Sequence, residues 1–129
     1  MTLPPAVIIH GLPHALSVLA AARPVTLLSA PGAACYAGCG WWRAVIRAAL
    51  AAHPGAAAPD VLDCGDSPGR ALEALSVRCR LIVLHPGPAW PDIAGRAESC
   101  GARLLAAAPP ALDMGWRGED RRLAAWLGT

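Results

Sequence analysis

The run Cys64-Gly-Asp-Ser-Pro-Gly-Arg70 sets a thiol six residues ahead of a guanidinium. The apolar stretch "VLDC" precedes it and a helical pattern follows, so the loop stands where a strand gives way to a helix. Backbone N–H groups at a helix start, with an arginine beside them, suit a phosphate-like anion, and a thiolate held there is a nucleophile. In that chemistry Cys64 attacks and Arg70 clamps the oxyanion.

The spacing C-x5-R resembles the loop of cysteine-dependent phosphatases and arsenate reductases, which also follows a strand and opens a helix. The resemblance covers this loop alone, and it implies thiol-based phosphatase or reductase chemistry. Asp63 stands where the tyrosine-phosphatase version has a histidine, and Asp66 lies inside the loop; both carboxylates raise the thiol pKa and repel phosphate. A purely structural account covers the rest: Ser67 is a good N-cap, Pro68 a good first helical residue, and Cys64 a small hydrophobe at a strand end. That account leaves Asp63 and Asp66 without a role.

Other reactive side chains also fall where apolar runs end. His10 closes "AVIIH" at 6–10, with His14 a turn later, and Ser29 lies near the end of "VTLLSA" at 25–30, ahead of Cys35 and Cys39. Asp63, Cys64 and Asp66 close or follow "DVLDC" at 60–64, and His85 closes "RLIVLH" at 80–85. In a parallel sheet all of these gather at the carboxyl edge, where open α/β sheets bind their ligands. The opposite edge receives mostly Pro, Ala, Gly and Arg. For an enzyme built there, Cys64 or Cys35 is the candidate nucleophile, His10 or His85 the acid or base beside Asp63 and Asp66, and Arg70 or Arg43 the anion clamp.

The loop carrying Gly32, Gly38 and Gly40 adds backbone N–H groups that could hold an anion or nucleotide next to Ser29 and Arg43. Its string "GCGWWR" departs from a dinucleotide fingerprint because Arg43 replaces the third glycine, although Asp63 fills the place of the acid at the end of the next strand. Cys35 and Cys39 are four apart with no C-x2-C or paired-histidine motif, so the sequence implies no metal and no cofactor.

The elements that must position these residues follow from periodicity. The four runs above, joined by "ARLLAA" at 102–107, are short; the first four are near-continuously apolar, as strands buried on both faces are. Helical patterns separate them. The first starts near Pro13 and runs to Arg23, and the second begins around 38–42 and ends at "HPG". The third starts at Ser67 and Pro68 and buries Ala71, Leu72 and Leu75; the fourth is "WPDIAGRAESCG". Residues 116–129 form an amphipathic C-terminal helix presenting Leu123, Trp126 and Leu127. Trp41 and Trp42 cannot both face inward, which puts one of them at a subunit contact or a pocket mouth. "APPALDMG" at 108–115 reads as a loose connection, since two prolines remove two donors.

Length and composition bound the function. A chain of 129 residues reads as a single domain over 1–129, able to bury about two-thirds of its surface. The chain has no Lys, Asn, Gln or Phe, which excludes a Walker A lysine and Schiff-base catalysis. A formal charge of +2 without a basic stripe argues against nucleic acid, and strand-sized apolar runs argue against a membrane span. Five irregularly spaced cysteines and an N-terminus without a basic n-region fit reduced thiols in the cytoplasm.

The expectation is therefore one three-layer α/β domain with about five mainly parallel strands, flavodoxin-like or Rossmann-like. Functionally it reads as a small-ligand-binding domain, or an enzyme acting on a small anionic ligand at the carboxyl edge. The alternatives are a non-catalytic interaction or homo-oligomerisation module, and a C-x5-R phosphatase- or reductase-like site.

Overall fold

Branched aliphatic residues make the expected runs into strands: β1 (Ala6–Ile9), β2 (Thr26–Ser29), β3 (Asp60–Asp63), β4 (Leu81–Val83) and β5 (Arg103–Leu105). A computed structural model describes residues 2–116 and 118–128. It adds β6 (Ala111–Asp113), inside the stretch expected to be a loose connection. Pro109 and Pro110 lie just before this strand rather than in it, and its ladder comes from pairing with Ala6, Val7 and Ile8 of β1, a partner far away in sequence. All neighbours are parallel, in the order β5-β4-β3-β2-β1-β6. The chain is thus an α/β fold of the flavodoxin-like and Rossmann-like class, with six strands and helices around one sheet.

The helices are α1 (Leu12–Ala20), α2 (Ala33–Tyr36), α3 (Cys39–Ala52), α4 (Pro68–Ser76), α5 (Trp90–Ser99) and α6 (Glu119–Trp126). Proline occupies the first turn of α1, α4 and α5, where a missing N–H costs nothing. Ser67 caps α4, its hydroxyl accepting the Arg70 N–H at 3.2 Å. Two expectations shift. Helix α1 stops at Ala20, short of Arg23, because Ala22 turns left-handed at φ 55°. In α4 the buried stripe is Ala71, Ala74 and Leu75, at i, i+3 and i+4, which leaves Leu72 39% exposed.

Sequential parallel strands need right-handed crossovers, and these lay α1, α3, α4 and α5 side by side in chain order. Val7, Ile9, Leu27, Leu62 and Ile82 of the sheet meet Trp42, Ile46 and Ile93 of these helices in the main core. The other sheet face carries Ala6, Leu28, Val61 and Val83, with Leu3 packed against them. Residues 2–5, part of the 106–110 connection and Trp126 line an open depression of about 590 Å³ on this side, and Trp126 Nε1 donates to the Ala6 carbonyl at 2.7 Å.

The 106–110 connection fixes the shape of the sheet. A flat sheet with this order would separate β5 from β6 by about 24 Å, five strand spacings. The link from Leu105 to Ala111 reaches about 21 Å fully extended, and it must also return from the carboxyl to the amino end. The sheet therefore curls, bringing its two outer strands towards each other.

At the amino end of β3, Asp60 accepts from Trp42 Nε1 at 3.2 Å and from Arg43 Nη1 at 3.3 Å. Burial pushes the Asp60 carboxyl up from its ordinary value, outweighing the attraction of Arg43 and the hydrogen bonds from Trp42 and Arg43. A raised folded-state carboxyl contributes most below its unfolded pKa and loses that contribution as pH rises through the folded value. A carbon-13 carboxyl titration should place the Asp60 midpoint above that of an ordinary aspartate; a midpoint at or below the ordinary value would contradict the burial argument.

Candidate functional site

The parallel strands all deliver their carboxyl ends to one edge, and the crossover helices, running antiparallel to them, present their amino ends there. Helices α1, α3 and α4 have no acidic residue in the first turn. No carboxylate of their own therefore offsets the positive dipole ends, although in α4 the Ser67 hydroxyl already takes the Arg70 N–H.

The best-formed side-chain constellation at this edge joins β1 to β6. His10, the first residue after β1, places Nε2 2.6 Å from Asp113 Oδ1 at the end of β6. The same oxygen accepts the Gly115 N–H at 2.8 Å. With a carboxylate facing Nε2, that nitrogen carries the proton and Nδ1 is the base in the neutral ring. The His10 backbone N–H donates to His14 Nδ1 at 3.1 Å, which leaves Nε2 of neutral His14 as its N–H donor, and the two rings meet edge-on with centroids 5.6 Å apart. Partial burial raises the Asp113 pKa, but the hydrogen bonds from His10 and the Gly115 N–H and the charges of His10 and His14 outweigh it, so the carboxyl lies below its ordinary value. A lowered folded-state carboxyl contributes stability above its unfolded pKa and loses it as pH falls through the folded value. The Asp113 midpoint in the titration above should therefore shift oppositely to that of Asp60.

Ser29 and Asp63 are bound into the strand ends. Ser29 Oγ accepts the Asp63 N–H at 2.9 Å and donates to the Ala30 carbonyl at 3.1 Å, while Asp63 Oδ1 accepts the Gly65 N–H at 2.8 Å. This is an Asx turn, and it gives Asp63 the structural role that helix geometry alone does not. Gly32 and Gly38 adopt left-handed φ values of 66° and 94°, as the turns on either side of α2 require.

The two halves of the C-x5-R spacing face different partners. Cys64 is fully buried, and burial, reinforced by the neighbouring Cys39, Cys79, Cys35 and Asp63, pushes its thiol far up, which keeps it protonated at neutral pH. Arg70 donates from Nη1 to Glu73 Oε2 at 2.7 Å, and Arg43 is committed to Asp60 rather than to the carboxyl edge. Cys35 is exposed, as are Asp66 and His85, and the His85 N–H donates to the Gly65 carbonyl at 2.8 Å. Trp42 is buried while Trp41 is half-buried against the core. Among the described residues, no group of three or more His, Cys, Asp or Glu side chains is arranged to hold a metal ion.

Sequence reasoning missed Asp113 and Gly115, although a signal was present. "VLDCG" and "ALDMG" share the string L-D-x-G, and in both the aspartate accepts the N–H of the glycine two residues on at 2.8 Å. One copy ended an obvious strand and the other did not.

Compared with known proteins, the chain matches no family model and no curated relative. Among the described residues no helix is long and apolar enough to cross a membrane.

Proposed function

We propose that this chain is a small-ligand-binding α/β domain that acts as an enzyme on a small anionic metabolite at the carboxyl edge of its sheet. The His10–Asp113 bond of 2.6 Å carries this reading: a carboxylate that orients an accessible imidazole is the arrangement of a general acid–base pair. Asp113 holds the ring in place, Nδ1 exchanges the proton, and the amino ends of α1, α3 and α4 favour the anion. Five free cysteines favour a reducing compartment, the cytoplasm.

The histidines supply the test. His10, His14 and His85 lie at the carboxyl edge, and His53, the fourth, lines a 640 Å³ cavity at the amino edge. Titration with inorganic phosphate, followed by the ring C–H resonances, should shift those of His10 and His14 saturably and leave His53 in place. No saturable shift, or an equal drift of all four rings, would sink the reading.

A second reading, a homo-oligomerisation module, draws on Tyr36 and Trp116, each 71% exposed. Light scattering separates the two. A dimer that Trp116→Ala dissociates while the phosphate response stays absent favours the module.

A further inference from the structure

Cys35 in α2, Cys39 at the start of α3 and Cys64 just after β3 gather at the carboxyl end of β3, while Cys79, beyond the end of α4, lies towards Asp60 at the amino end. Cys64 is within electrostatic reach of Cys39, Cys79 and Cys35, and of these four only Cys35 is exposed. Strand alternation accounts for the meeting: Leu62 faces the helix layer and Val61 the other side, so Cys64 shares the face of Leu62, which α2 covers. Cys35 Sγ lies 3.5 Å from the Cys64 carbonyl oxygen. That contact limits the separation of their Cα atoms to at most about 9 Å by bond geometry, against the 4.4–6.8 Å or so that a disulfide spans. Helix α2, only four residues long, is bracketed by Gly32 and Gly38 at φ 66° and 94°, which gives it hinges for the remaining shift.

We propose that Cys35 and Cys64 form a dithiol that small hydroperoxides oxidise to an intramolecular disulfide. The Cys35 thiolate attacks one peroxide oxygen, the O–O bond breaks, and the sulfur becomes a sulfenic acid as the other oxygen leaves as water or alcohol. Once α2 has swung, Cys64 attacks the sulfenic sulfur, its proton passes to the departing hydroxyl, which leaves as water, and the S–S bond forms. Two thiols are oxidised by two electrons and one peroxide is reduced. Cys64 stays out of reach of the reagent until α2 swings, so Cys35 reacts first. Cys100, exposed at the end of α5, serves as an internal control.

Hydrogen peroxide should remove two hydrogens from the intact chain. Cleavage at arginine should then yield the peptide ending at Arg43 joined to peptide 48–70, a link that reductant reverses. Cys35→Ser should abolish the link. In Cys64→Ala, checked for folding by circular dichroism, a dimedone trap should label Cys35 at least about tenfold more than in the native chain, because the sulfenic acid has lost its resolving partner. A Cys35–Cys39 pairing, a disulfide between chains, or labelling of Cys35 no greater than that of Cys100 would each overturn the proposal.

Discussion

Trp42→Ala is expected to lower the unfolding free energy by about 3–5 kcal/mol, a large share of the 5–15 kcal/mol or so typical of a domain. The side chain is fully buried in the main core between α3 and the sheet, and no neighbour can fill an indole-sized void without moving the strands. The substitution also removes the Nε1–H that Asp60 accepts at 3.2 Å, leaving that half-buried carboxylate with Arg43 alone. Trp42→Phe separates the two contributions. It keeps most of the packing and loses the donor, for an expected loss of about 1–2 kcal/mol. Urea unfolding of both variants measures the difference; a loss below about 1 kcal/mol for the alanine would show that the core closes around the gap.

Gly115→Ala should break the His10–Asp113 pair while leaving the sheet intact. A Cβ at this position would lie 2.8 Å from His10 Nε2 and 3.1 Å from Asp113 Oδ1, closer than van der Waals contact allows. The His10 side chain is 38% exposed, so the ring swings into solvent rather than forcing the backbone to move. The downfield Nε2–H resonance of His10 should disappear, and the phosphate response of that ring should weaken, because the ring no longer keeps its place at the carboxyl edge. Stability should change by less than about 1 kcal/mol, since the lost interaction is a surface pair. Gly95→Ala is the control: nothing lies within 4 Å of its Cβ position, and replacing glycine inside α5 should stabilise by about 0.5–1 kcal/mol without touching the histidine. A Gly115→Ala protein that keeps the resonance and the response would remove His10 from the proposed mechanism.

What could be read in the chain, and what could not, divides by the range of the interaction. The aliphatic runs at 6–10, 25–30, 60–64, 80–85 and 102–107 and the prolines that open α1, α4 and α5 act within a few residues, so the sequence by itself determined a parallel α/β domain and the edge at which His10, Ser29, Asp63 and His85 would arrive. Ser67 as the cap of α4 was legible for the same reason. The order of the strands was not, and everything specific about the site depended on it. Asp113 meets His10 across 103 residues of chain only because β6 pairs with β1 in a register that sets it opposite Ile8. Tertiary structure likewise buried Cys64, gave Arg70 to Glu73 and Arg43 to Asp60, and set Cys35 against the Cys64 carbonyl. Spacing along the chain records which groups are available; side chains of equal local standing acquire a buried thiol, a spent guanidinium or an oriented imidazole only from neighbours that the packing of distant segments supplies.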